Sequence, residues 1–264
     1  MIWTTRPRSD LGHGLAGVVA GDGPPLLLIH GVGLRAEAWA AMVPMLTPTA
    51  RVVAIDMPGH GGSAPVAAAR LSDYVAAIAP LVRDLAARHG PVMVAGHSMG
   101  AMIALDLAVT LPQDVGGVAA LNAVFKRPAE AAAAVRARAE TLATTGAADP
   151  EPTLRRWFGN TQSAEANACR DWLTSATPEG YAMAYRTFAN ADGPSSDELA
   201  TLQTPALFVT GADDPNSTPE MARQMARLAP NAQALVIDGA AHMAPMTHPA
   251  PIAAALLRGL AQLA

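Results

Sequence analysis

Val92-Met93-Val94-Ala95-Gly96-His97-Ser98-Met99-Gly100 leads from four apolar residues into a Gly-x-Ser-x-Gly turn, and Ala101–Leu111 continues with helical apolar spacing. Gly and Ser are common, and five residues alone would fit a packing turn. Strand before and helix after give the pattern its meaning. A serine on so tight a turn sits in strained backbone, and side chains at Gly96 and Gly100 would meet neighbouring backbone. The turn pushes the Ser98 hydroxyl out of the sheet, and the helix N-terminus behind it favours developing negative charge.

Outward from this turn, short apolar runs alternate with longer helical stretches. The runs are Leu26–Ile29, Val52–Ile55, Val92–Ala95, Val118–Leu121, Leu207–Thr210 and Leu235–Ile237. Runs apolar on both faces suit a central parallel sheet covered by helices on either side. Helices are predicted over Ala36–Leu46, Ser72–His89, Met99–Leu111, Pro219–Leu228 and Pro249–Leu263, with Pro80 kinking or splitting the second. This is a doubly wound α/β pattern. Between about Phe125 and Leu202 no strand is evident. Three helix signals stand there: Pro128 ahead of Ala129–Thr144 with Gly146 as its stop, then Ser163–Ala176, then Thr177 and Pro178 opening a helix through Tyr181–Ala191. An all-helical insert at this place reads as a cap over the ligand crevice.

Composition narrows the partners. The 264 residues are 51% hydrophobic and 15% charged, ample for one α/β domain. A net charge of −4 argues against a nucleic-acid partner. Cys169 is the single cysteine, and no Cys/His cluster has metal-ligand spacing, so a metal-free cytoplasmic protein is expected. Arg6-Pro7-Arg8-Ser9-Asp10 does not read as a secretory signal. The longest aliphatic run, Leu26–Ile29, is far too short to span a membrane.

The strand Leu26–Ile29 ends in His30-Gly31-Val32-Gly33. With a serine turn of this kind, that loop and the residue after the serine supply the oxyanion N–H groups. Val32 and Met99 are therefore the expected donors, with His30 structural. Gly211-Ala212-Asp213-Asp214-Pro215 and Asp238-Gly239-Ala240-Ala241-His242 each follow a strand end, where functional loops of an open sheet collect. Of seven histidines, His13 and His89 read as surface, His60 and His97 flank turns, and His248 begins a helix. His242 alone has the right place to take the Ser98 proton. A carboxylate must then fix its tautomer. Asp214 is preferred, with the adjacent Asp213 as the alternative; Asn122, at the end of the sixth strand, cannot serve as the acid.

These residues together resemble the α/β-hydrolase superfamily. The marks are His30-Gly31-Val32-Gly33, Asp56-Met57-Pro58-Gly59-His60-Gly61-Gly62-Ser63, Gly96–Gly100, Gly211–Asp214 and Ala241–Pro249. The resemblance implies a mostly parallel sheet flanked by helices, with a helical cap inserted after the sixth strand. Residues 1–124 and 202–264 would form the core, and 125–201 the cap. Leu154-Arg155-Arg156-Trp157-Phe158, Pro178-Glu179-Gly180-Tyr181 and Ala189-Asn190-Ala191-Asp192 resemble the cap of 3-oxoadipate enol-lactonases and related small esterases. That implies cofactor-free cleavage of a small carboxylic ester or enol-lactone. The turn departs from the His-Gly-x-Gly-Pro-Gly of meta-cleavage C–C hydrolases, since Leu34-Arg35 follow Gly33.

For the substrate, Arg35, Trp157, Phe158 and Tyr181 are the expected contacts. Arg155, Arg156 and Arg186 are further cations that could hold a carboxylate. Each arginine could equally be a solvated helix charge, and each aromatic could be core. The leading expectation is ester or lactone hydrolysis through an acyl-enzyme on Ser98, His242 and Asp214. A perhydrolase or haloperoxidase-like acyl transfer, a C–C hydrolase and a noncatalytic ligand receptor are the alternatives.

Overall fold

The computed structural model describes residues 2–67, 70–145 and 149–263. Two short strands that the apolar pattern does not signal, β1 (Ser9–Asp10) and β2 (Ala16–Ala20), open the sheet. They are exposed or half-buried, so no continuous apolar run marks them. The six apolar runs follow as β3 (Pro25–Ile29), β4 (Arg51–Ile55), β5 (Val92–His97), β6 (Val115–Leu121), β7 (Ala206–Gly211) and β8 (Ala232–Ile237). The order is β1-β2-β4-β3-β5-β6-β7-β8. Pairing is antiparallel among β1, β2 and β4 and parallel elsewhere.

Alternate residues of each central strand feed two layers. Leu27 and Ile29 point into the cluster that holds Tyr74, Ile78, Val82, Ile103 and Leu107. Those partners lie on α2 (Leu71–His89) and α3 (Met99–Thr110), after α1 (Val43–Leu46) in the chain. Leu26 and Leu28 enter the opposite cluster with Trp39, Met42, Leu46, Ile252 and Leu256. The period of two in the strands thus distributes one apolar run to both faces. Strand order reverses at β3, between β4 and β5, and the carboxyl ends there form the crevice of an open α/β sheet.

Two helix expectations need correction. Ala36–Leu46 is a 3-10 turn at Ala36–Trp39 followed by α1; Pro44 lacks the N–H that would bond back to Ala40. Helix α2, in contrast, runs unbroken through Pro80. Its freed acceptor would be at Ala76, an exposed residue, where solvent can satisfy the carbonyl.

Between β6 and β7 lie α4 (Ala129–Thr145), α5 (Glu151–Phe158), α6 (Ala164–Ser175), α7 (Pro178–Asn190) and α8 (Ser196–Thr201). Gly146, the expected stop of α4, lies outside the described residues. Ser163 caps α6 by accepting from the Ala166 N–H at 3.1 Å. Thr177 occupies the N-cap of α7 without a side-chain cap; its hydroxyl donates to the Gly59 carbonyl. Helices α5 and α8 are additions to the expected three, each under nine residues. This insert is anchored twice. Tyr181, Ala184 and Tyr185 join the main core, while Leu154, Cys169 and Trp172 pack with Trp3, Leu34, Met243 and Met246. The chain ends through α9 (Pro219–Leu228), α10 (Ala244–Thr247) and α11 (Pro249–Leu260). No helix among the described residues is long and apolar enough to cross a membrane.

A buried ionic cluster ties the N-terminal segment to the loops after β3 and β4. Arg8 bonds both Glu37 oxygens, at 2.6 and 2.7 Å, and Asp56 Oδ2 at 2.6 Å. Asp56 also accepts from the Ala36 and Gly62 N–H groups, at 2.9 and 2.8 Å. Gly61, with φ 51°, has no room for a Cβ, which would fall 2.1 Å from Asp56 Oδ2. Burial would raise both carboxyls, but the Arg8 guanidinium and the backbone donors outweigh it and hold both below their ordinary range. Their contribution to stability is therefore fully present above the ordinary carboxylate range. It is lost as pH falls through the lower folded-state values.

Arg8→Met should strand two buried carboxylates and cost about 3–5 kcal/mol of folding stability, measured by urea unfolding at pH 7. A loss below about 1 kcal/mol, the size of an exposed ion pair, would show that the cluster does not hold these loops.

Candidate active site

Ser98 stands between β5 and α3 with φ 56° and ψ −117°. That is left-handed territory for a residue with a Cβ. A Cβ on Gly96 would lie 1.9 Å from the Gly100 carbonyl oxygen, and one on Gly100 would lie 2.2 Å from that of Ile29. These obstacles are backbone and cannot swing aside. The Ser98 N–H donates to the Leu121 carbonyl at 2.9 Å, which fixes the turn against the end of β6.

The structure brings the three distant residues together. Ser98 Oγ is 3.2 Å from His242 Nε2, and His242 Nδ1 is 2.8 Å from Asp214 Oδ2. In this line the Ser98 hydroxyl donates to Nε2 and the Nδ1–H donates to the carboxylate. Asp214 is buried and Asp213 exposed, so Asp214, of the adjacent pair, meets the imidazole. Asp214 Oδ1 accepts from the Asn216 and Ser217 N–H groups at 2.8 and 3.1 Å. Oδ2 also accepts from Asn122 Nδ2 at 2.8 Å. Burial would raise this carboxyl, but the His242 imidazole and the donors around it hold it at about 2.

Gly31–Gly33 faces the serine. A Cβ on Gly31 would lie 3.1 Å from Ser98 Cβ. The Val32 and Met99 N–H groups have no acceptor among the described residues. The loop is pinned by two buried histidines acting as acceptors. His30 Nε2 takes the Met57 N–H at 2.8 Å, and His60 Nε2 takes the Gly33 N–H at 3.0 Å. Burial lowers the pKa of both, that of His60 to about 3. His97 donates from Nε2 to the His242 carbonyl at 2.8 Å; burial, with the His242 ring alongside, brings it to about 3.

Ser98 and His242 open on a cavity of about 170 Å³ lined by the helical insert on one side and by the core loops on the other. Trp157 and Tyr181 line it, as expected, and Trp157 stacks on His242 with ring centroids 6.2 Å apart. Arg35 and Phe158 do not. Arg35 turns to the far side of the oxyanion loop and bonds Ser175 Oγ at 2.6 Å. Phe158 packs outward with the cluster around Trp3 and Trp172, because the helical period turns it away from its neighbour Trp157. Arg155 and Arg186 also lie outside the cavity, whereas Arg156 lines it.

Sequence reasoning confined to the cap helices misses Arg127, which precedes the first of them. Its guanidinium is 4% exposed, lies 4.4 Å over the Phe188 ring and donates to the Ala191 carbonyl at 2.6 Å. The available signal is the pair Lys126-Arg127 at the exit of an apolar strand. Among the described residues no group of three or more His, Cys, Asp or Glu side chains could hold a metal ion.

Comparison with known proteins agrees with this fold. Residues 26–255 match the model of the alpha/beta hydrolase family. The chain is 43% identical over 232 residues to the (E)-2-((N-methylformamido)methylene)succinate hydrolase of Acinetobacter baylyi, covering 87% of each chain. A malate-bound thermophilic esterase from Thermogutta terrifontis superposes with TM-score 0.84 at 28% identity, over 94% of this chain and 93% of that one. The enol-lactonase of Burkholderia xenovorans LB400 shares the fold, with TM-score 0.80 and 22% identity over 97% and 100% of the two chains.

Acid titration followed by carboxyl carbon NMR should find Asp214 ionised down to about pH 3. The stability it contributes is present above the ordinary carboxylate range and lost as pH falls through about 2. A midpoint near 4 would mean that the four donors do not act on it.

Proposed function

From membership of the alpha/beta hydrolase family, to which this chain belongs as a hydrolase, we propose that it cleaves a small carboxylic ester or lactone bearing a free carboxylate, through a Ser98 acyl-enzyme. The observation that carries the reading is the 3.2 Å approach of Ser98 Oγ to His242 Nε2 beside two backbone N–H groups that have no acceptor among the described residues. Ser98 attacks the acyl carbon while its proton passes to His242. The carbonyl oxygen becomes an oxyanion and is held by the Val32 and Met99 N–H groups. As the tetrahedral species collapses, His242 protonates the departing oxygen. Water then repeats the sequence with His242 as base and releases the acid. Asp214 stays ionised throughout, orienting the imidazole and stabilising its cation.

Support for an acidic substrate comes from Arg156 on the cavity wall; Arg127, also there, is already committed to Asp192 and to the Ala191 and Phe188 carbonyls. A planar guanidinium matches a carboxylate bidentately. The Acinetobacter baylyi relative acts, by its name, on a substituted succinate, which agrees with that charge. The same name extends the scissile group to an N-acyl enamine, for which His242 would protonate the departing nitrogen instead. Perhydrolysis uses the same acyl-enzyme with peroxide as acceptor, and C–C cleavage lacks its oxyanion-turn signature here. A noncatalytic receptor would show no Ser98-dependent turnover.

Ser98→Ala should lower kcat on an aryl ester by at least ~10³-fold, and the double variant with His242→Ala by little more. Unchanged turnover in the single variant would sink the reading. Arg156→Gln should raise KM about tenfold for a carboxylate-bearing ester, the size of one charge-assisted bond, and leave a neutral ester of equal length unaffected. Equal effects on both esters would remove the carboxylate from the proposal.

A further inference from the structure

The end of β6 touches both ends of the proton-relay line. Leu121 accepts the Ser98 N–H through its carbonyl at 2.9 Å, and the next residue, Asn122, reaches the acid. Its Nδ2 lies 2.8 Å from Asp214 Oδ2, the oxygen that also accepts from His242 Nδ1. The amide must present its nitrogen here, because its oxygen would face a carboxylate.

The rest of Asn122 is fixed as firmly. Its φ is 51°, a conformation that Asn and Asp adopt more readily than other side chains. Its backbone N–H donates to the Val209 carbonyl at 2.7 Å. Ser217 closes a ring: its Oγ donates to the Asn122 carbonyl at 2.7 Å, and its N–H donates to Asp214 Oδ1 at 3.1 Å. Packing alone does not account for an amide at this position. Asn122 is fully buried, and its Oδ1 has no partner among the described residues. An orphaned buried carbonyl is unfavourable; the Nδ2 bonds offset it, and the one to Asp214 is the short one, at 2.8 Å against 3.4 Å to the Ala241 carbonyl and 3.5 Å to Thr210 Oγ1.

We propose that Asn122 is a positioning residue of the Ser98–His242–Asp214 line: its amide fixes the Asp214 carboxylate and draws off part of the charge that His242 feels. The inference rests on the roles assigned above to those three residues. The titratable or charged groups facing His242 are Asp214, His97, Ser98 and, across the cavity, Arg127 and Arg156. His97 stays neutral near pH 7, so Asp214 is the one anion among them. Withdrawing a donor from Asp214 leaves its charge more concentrated toward the imidazole, which then keeps its proton to higher pH.

Two variants remove the donor: Asn122→Gly takes up the left-handed backbone freely, and Asn122→Ala takes it up under strain. In both, the acid limb of the kcat/KM profile on an aryl ester should move up by at least about half a pH unit. kcat should fall by about tenfold. Folded variants whose acid limb stays where it was, whatever happens to kcat, would reduce Asn122 to a structural residue. A measurement on the unmodified protein stands apart from folding of the variants. The Asn122 side-chain NH₂ resonances should follow the His242 titration, since both bonds end on one oxygen. NH₂ resonances that ignore that titration would overturn the proposal. Failure of the Ser98→Ala test would instead overturn the reading of the site, and the two failures are read on different residues.

Discussion

One constrained peptide turn governs the geometry of the site. Ser98 holds a positive φ, at a cost of about 1–3 kcal/mol for a residue with a side chain. The conformation persists because it is over-determined. Gly96 and Gly100 let β5 and α3 approach to distances that no Cβ would allow. The carbonyl of Leu121 holds the Ser98 N–H from the neighbouring strand. Helix α3 is buried along most of its length, so the packing of the core opposes relaxation of the turn. The strain is local, and the burial that balances it is spread over a whole helix.

The loop at Gly31–Gly33, proposed to supply an oxyanion donor, is held differently, with polar groups added to the packing of Val32 and Leu34. His30 and His60 accept backbone N–H groups through unprotonated ring nitrogens, which requires both to be neutral. Burial ensures this. Behind them, Arg8 joins Glu37 to Asp56, and Asp56 in turn holds the Ala36 and Gly62 amides. The N-terminal segment is thereby tied to the loops after β3 and β4. A single cation between two buried carboxylates is a weak contributor to net stability when compared with an apolar core. What it supplies here is a defined position for the loop.

Legibility in the sequence follows the physics of each feature. The central strands are buried on both faces, so composition alone marks them. The Ser98 turn is legible because sterics leave almost no alternative to glycine on either side. Asp214 and His242 are legible from chain order and from their position just past strand ends. The strands β1 and β2 are half-exposed, and half-exposed residues carry little apolar signal. Direction is the other gap. Arg155, Arg156, Trp157 and Phe158 are consecutive, yet the second and third line the cavity and the other two do not. Separating them requires the helix axis relative to the sheet, which is tertiary information. Asn122 shows the same limit: its type excludes it as the acid, while its contact with the acid depends on the register of β6 against β7.

Charge around the relay line is arranged asymmetrically, and this bears on how the line can work. His30, His60 and His97 are all buried close to the site, and burial keeps each neutral near pH 7. Asp214, equally buried, is kept ionised by four donors. On the proposed mechanism, a positive charge appearing on His242 therefore meets one fixed anion and, among the described residues, no competing cation in contact with it. Arg127 and Arg156, across the cavity from the imidazole, are borne by the insert. Had His97, whose ring lies 5.1 Å from that of His242, been solvated enough to protonate, it would have opposed the imidazolium at a distance where repulsion is strong. On the proposed mechanism, burying these rings thus does two things at once: it leaves the acceptor nitrogens of His30 and His60 free to hold the loop, and with His97 neutral it leaves the attraction of Asp214 to the base.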